Sequence, residues 1–117
     1  MDAAVTRLYT GSDGESHFED MKIPLQDFEG LFECSETIPA TGIIFQESYG
    51  GEAHGWHNAP RRQYVITLVG RIEIEVGDGS RRNFGPGDLL LAEDATGRGH
   101  ITRPKEKHHR AIVVTLE

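Results

Sequence analysis

The stretch GWHNAPRRQ, Gly55 to Gln63, sets Trp56, His57, Asn58, Arg61, Arg62 and Gln63 close together, with His54 just before them. Several of these side chains are suited to chemistry. Imidazole titrates near neutrality and carries a lone pair when neutral, so His57 is a candidate metal ligand or general base. Gln63 offers either a weak oxygen ligand or a hydrogen-bonding amide to a small molecule. Arg61 carries a planar fork that fits a carboxylate. Trp56 can wall an apolar pocket. Far along the chain the loop GRGH supplies Arg98, a cation able to reach over such a site, and His100, a second candidate imidazole. His17 reads as solvated, as do His108 and His109 within the charged run KEKHHR.

What must position these residues is a set of short strands. Directly after Gln63 the chain turns apolar, and alternation puts Gln63, Val65 and Thr67 on one face. If the strand runs extended back to His57, then His57, Ala59 and Arg61 join that face, the expected interior, while Tyr64 points out toward a sheet or subunit contact. Ile72, Ile74 and Val76 alternate with Arg71, Glu73 and Glu75, so Gln63–Val69 and Arg71–Val76 read as a strand pair separated by Gly70. Gly77-Asp78-Gly79 supplies a hairpin turn before Arg81–Phe84, and Gly85-Pro86-Gly87-Asp88 a second turn before Leu89–Ala92. His100 ends the loop 93–99; Ile101–Arg103 extend, and Ala111–Leu116 form a last strand. Thr41–Tyr49 and Val5–Thr10 are further strands, and Leu25–Cys34 has room for one short helical turn. Roughly six to nine short strands hide their edges in a sandwich, a barrel or a jelly roll. The expected class is all-β.

The totals narrow the function. A chain of 117 residues is one domain's worth. A formal net charge of -7, with Arg61-Arg62 and Arg81-Arg82 the main basic pairs, argues against nucleic acid as a partner. No apolar stretch approaches the roughly 20 residues of a membrane helix, and MDAAVTRLYT lacks the apolar centre of a signal peptide, so no membrane is expected and the cytoplasm is the expected compartment. Cys34, the single cysteine, has no disulfide partner within the chain.

With the strands and turns in view, the residues resemble the cupin family. Gln63 and Gly70 stand at the spacing of the glutamate and glycine that close the first cupin motif. Gly79 and Pro86 fall one residue from the opening of the second, Gly85-Pro86-Gly87-Asp88 is similar to the turn many small cupins carry between their motifs, and His100 resembles the closing histidine. The likeness runs from Gly50 to Thr115, and the whole chain is similar to small single-domain bacterial cupins of unassigned function. The resemblance implies a single-domain, cupin-type jelly-roll β-barrel over residues 41–117. Residues 1–40 would be N-terminal strands or an extension that forms a homodimer, with Val5–Thr10 as the exchanged strand.

The family site holds one divalent metal with three imidazoles and a carboxylate. Here only His57 stands near the paired histidines of that motif, and the carboxylate is the amide of Gln63. His57, His100 and Gln63, with His54 as a substitute, are therefore the candidate ligands for Mn, Fe, Ni or Zn, and a metal-free site is the alternative. Arg61, Asn58, Trp56 and Arg98 are the candidate substrate-binding residues. Three functions are expected to compete: a metal-dependent enzyme acting on a small carboxylated or sugar-like molecule, a metal-free pocket for a small anion or a metal-independent isomerase, and a self-association domain with a vestigial pocket.

Overall fold

Period-two alternation broken by glycine turns produces twelve strands and no helix. The computed structural model describes residues 1–117. In chain order the strands are β1 (Asp2–Thr10), β2 (Ser16–Pro24), β3 (Gln26–Phe28), β4 (Phe32–Cys34), β5 (Gly42–Ser48), β6 (His54–His57), β7 (Gln63–Val69), β8 (Ile72–Glu75), β9 (Arg81–Phe84), β10 (Leu89–Ala92), β11 (His100–Pro104) and β12 (His109–Thr115). A six-stranded sheet runs β2-β1-β10-β7-β12-β5, a four-stranded sheet runs β6-β11-β8-β9, and β3 and β4 form a separate hairpin. The two larger sheets face each other across Leu8, Ile74, Val76, Phe84 and Leu90, with Phe18, Val65 and Ile72 packed around them.

The two sheet pairs of edges behave differently. β2 and β9 are joined by Arg82, whose Nη1 donates to Asp20 Oδ1 at 2.6 Å while its guanidinium lies 5.1 Å over the Phe18 ring. On the opposite side β5 and β6 are not hydrogen-bonded to each other. A cavity fills the space they flank.

Two expectations are corrected. Gln63–Val69 and Arg71–Val76 do not pair: β7 and β8 belong to different sheets. Gly70 is a corner instead, with φ 78° and no room for a Cβ against the His108 carbonyl. Leu25–Cys34 holds the β3–β4 hairpin rather than a helical turn, because Glu29 and Gly30 both adopt positive φ and the Gly30 N–H donates to Asp27 Oδ2. Residues 1–40 include the strands β1 and β2, and β1 lies inside the six-stranded sheet, antiparallel to β2 and parallel to β10. No helix is long and apolar enough to cross a membrane.

Candidate functional site

Sheet register creates the site. β6 and β11 pair antiparallel with His57 directly opposite His100, an arrangement that holds Cβ atoms about 5 Å apart. The two imidazole centroids lie 4.5 Å apart, and the His54 ring meets the His57 ring edge-on at 5.9 Å. Gly99, with φ 83°, lets β11 come close to the His57 carbonyl and aims His100 inward.

Each ring is fixed by what its Nδ1 meets. His57 Nδ1 lies 2.7 Å from the Gly55 carbonyl, which can only accept, so the proton sits on Nδ1. His100 is 6% exposed, and its Nδ1 lies 2.5 Å from Asp94 Oδ2, which also accepts from Ser16 Oγ at 2.7 Å. In the neutral rings both Nε2 atoms are therefore lone-pair acceptors. Asp94 is wholly buried, and its Oδ1 has no hydrogen-bond partner.

The cavity has a volume of about 610 Å³. His54, His57, Asn58, Gln63, His100 and Thr102 give it polar groups, over an apolar floor that includes Val65, Ile74 and Leu90. Its acids are Glu47 and Glu52, and it has no lysine or arginine in its wall. Glu47 is held ionised, below the usual carboxylate range, by hydrogen bonds from Arg110 and then His108.

The structure gathers the four candidate ligands and Asn58 around this cavity but leaves three of the expected substrate-binding residues outside it. A loop, residues 58–62, separates β6 from β7, so the strand does not run extended from His57 to Gln63 and Arg61 does not follow the inward alternation. Arg61 is exposed and donates from Nη1 to Gln63 Oε1 at 2.8 Å. Arg98 stacks on Trp56, its guanidinium carbon 3.9 Å from the ring centroid, outside the cavity. Asn58 is at the rim, but its Nδ2 donates to the carbonyls of Thr96 at 2.8 Å and Gly97 at 3.0 Å, tying down the loop that carries Asp94.

The donor set does not fit the four-ligand metal site of the family. Nowhere are three or more His, Cys, Asp or Glu side chains grouped so that they could hold a metal ion. The remaining oxygen, Gln63 Oε1, faces a guanidinium, a cation that opposes a second cation beside it.

Two residues the sequence reading passed over, and one it read as solvated, belong here. Ser16 and Asp94 set the His100 ring, and His109 lines the cavity at 8% exposure, its Nε2 3.5 Å from Thr67 Oγ1. His109 is thus buried, not solvated, because β12 begins at that residue and inward alternation continues through Ala111, Val113 and Thr115.

Burial, and then the nearby His108, lower the His109 pKa from its ordinary 6.5. The unfolded chain takes up this proton first, so the contribution of neutral His109 is complete above about pH 6.5 and declines as the pH falls toward the lowered folded value. In pH-dependent thermal melts, His109→Gln should flatten the loss of stability on acidification below about pH 6.5. A variant whose curve keeps the wild-type slope would assign that titration to another group.

No protein-family model matches the chain, and no curated protein does. Solved structures do. Protein NMB1881 from Neisseria meningitidis superposes at a TM-score of 0.51 with 18% identity, over 68% of this chain and 79% of that one. A cupin 2 conserved barrel domain protein from Salinispora arenicola gives a TM-score of 0.47 and 23% identity over 62% of this chain and 59% of its own. The conserved protein SPY1581 of Streptococcus pyogenes gives 0.47 and 21% over 71% of each chain. The all-β, two-sheet fold is shared with protein NMB1881 and is compatible with a jelly roll, and at 18% identity the likeness is one of fold alone.

Proposed function

We propose that the cavity binds a small, neutral, hydroxylated molecule of the sugar-like kind without a resident metal, and that His57 and His100 take protons or hydrogen bonds from it. The observation that carries this reading is the fixed tautomer pair: with Nδ1 of His57 committed to Gly55 and Nδ1 of His100 to Asp94, both Nε2 atoms accept. A ligand that donates from hydroxyls satisfies them. A carboxylate, which only accepts, does not. The Nε2 lone pair of His100 backed by Asp94 is also suited to removing a proton from a bound hydroxyl, or from carbon next to a carbonyl. The size and mixed lining agree with a small-molecule site.

The test is a metal analysis of untagged protein purified without chelator, together with calorimetric titration of a panel of neutral sugars and polyols and of small carboxylates. Wild type is expected to carry far less than one metal per chain, to bind a member of the hydroxylated panel, and to lose about tenfold or more in affinity on His57→Ala or His100→Ala, or about 1.4 kcal/mol. One metal per chain in wild type, lost in both variants, would replace this reading with the metal-dependent one. Binding confined to the carboxylates would replace it with an anion site.

A further inference from the structure

The histidines at the β6–β11 corner occupy only one end of the cavity. Gln63, paired with Ala92 two residues before Asp94, marks the end nearest His100. Thr67 lies four residues further along β7, about 13 Å away at the rise of an extended strand. There His109 Nε2 sits beside Thr67 Oγ1, and Ser48 stands directly opposite His109 in the register of β5 and β12, with Gln46 one inward step along β5. His109, Ser48 and Gln46 all line the cavity. Between the two polar ends the lining includes Val65, Ile72, Ile74 and Leu90.

This distal end is unfinished. His109 is buried, yet its hydrogen bond in the fold is the long one to Thr67 at 3.5 Å, near the limit at which such a contact counts. Buried polar groups are ordinarily satisfied, so the ring is short of a partner. Volume points the same way. At about 30 Å³ for each water, the cavity of about 610 Å³ takes roughly twenty, whereas a hexose has about twelve non-hydrogen atoms. One sugar ring at His57 and His100 therefore leaves the apolar middle and the His109 end to water. The unpaired edges of β5 and β6 leave the side of the cavity open to a longer molecule.

We propose that the ligand is an aryl glycoside rather than a free sugar: its sugar hydroxyls meet His57 and His100, its aromatic ring lies on Val65, Ile74 and Leu90, and a phenolic hydroxyl at the far end is held by His109 and Ser48. The proposal rests on the metal-free, hydroxylated-ligand reading above and extends it to the second half of the cavity. An aromatic ring suits the middle better than a second sugar, whose hydroxyls an aliphatic wall would leave unpaired. A phenol suits the end because it donates to an imidazole lone pair and accepts from a serine hydroxyl. Burial holds the His109 pKa below its ordinary 6.5, so the ring keeps that lone pair at neutral pH.

Calorimetric titration of the full chain at neutral pH with methyl, phenyl and 4-hydroxyphenyl glycosides, in the gluco, galacto and manno series, separates the contributions. In the series that binds, the phenyl glycoside is expected to bind about tenfold tighter than the methyl, and the 4-hydroxyphenyl about fivefold tighter again. His109→Leu, and Ser48→Ala at an exposed position where folding is not at stake, should each shrink the second step and keep the first. His57→Ala should weaken all three compounds alike. A methyl glycoside that binds as tightly as its 4-hydroxyphenyl counterpart overturns this inference and leaves the hydroxylated-ligand reading standing. So does failure of every glycoside while a free sugar or polyol binds, whereas failure of glycosides, sugars and polyols together removes both. A 4-hydroxyphenyl preference that survives intact in both the His109→Leu and the Ser48→Ala chains overturns the assignment of the distal end.

Discussion

A Gly99→Ala chain is expected to be less stable than wild type by on the order of 3 kcal/mol and to part the two imidazoles at the cavity wall. Gly99 has φ 83°, a conformation that costs an L-residue roughly 1–2 kcal/mol, and its added methyl would run into the His57 carbonyl and the Asn58 amide nitrogen. Both obstacles are backbone, so no rotamer change relieves them. The strands must separate where His57 faces His100, and the hydrogen bond between His100 and Asp94 is stretched with them. Gly79→Ala is the control: its φ is 87°, but nothing lies within 4 Å of the added Cβ. Denaturant midpoints should therefore rank wild type above Gly79→Ala and Gly79→Ala well above Gly99→Ala. Equal losses in the two variants would mean that backbone conformation alone, not the close approach of β11 to β6, makes glycine necessary at 99.

Asp94→Asn is the second large effect, and it separates chemistry from folding. The carboxylate accepts at Oδ2 from Ser16 and from His100, and an amide can turn a donor toward the ring instead. Nδ1 of His100 then becomes the acceptor and the proton moves to Nε2, so the ring presents a donor to the cavity. Loss of a hydrogen bond to a charged group at a fully buried position costs about 1–3 kcal/mol of stability. Nitrogen chemical shifts of His100 should report the tautomer change, and affinity for a hydroxylated ligand should fall by at least about tenfold, or 1.4 kcal/mol. A variant that keeps the Nδ1–H tautomer and the wild-type affinity would remove Asp94 from the site and leave it a structural group.

Much of this arrangement was readable in the residues. The turns at Gly77-Asp78-Gly79 and Gly85-Pro86-Gly87-Asp88 stand as expected because their backbone requirements are local. The alternation of Gln63, Val65 and Thr67 marked the inner face of β7 for the same reason, since one buried face imposes a period of two. β2 escaped notice because an edge strand wet on one side tolerates Glu19, Asp20 and Lys22, which blur its pattern. Which strands pair is a tertiary fact, and so β7 and β8, neighbours in sequence, end in different sheets. His57 and His100 were both legible as site candidates, whereas the role of Asp94 depends on where a loop folds under β11, and no spacing announces that. His109 was within reach: one more step of the inward alternation of β12, back from Val113 and Ala111, would have included it.

The parallel pairing of β1 with β10 bears on how the chain reaches this state. Thr6 lies beside Leu90, so the hairpin of β1 and β2 can form from local contacts soon after it leaves the ribosome, but the strand it docks against is made only when most of the chain has been synthesised. Until then Leu8 and Val5, among the most deeply buried side chains of the finished molecule, face solvent on a nascent hairpin. The six-stranded sheet therefore cannot be completed around β1 until β10 has emerged, and an apolar hairpin face left uncovered until then is an aggregation hazard.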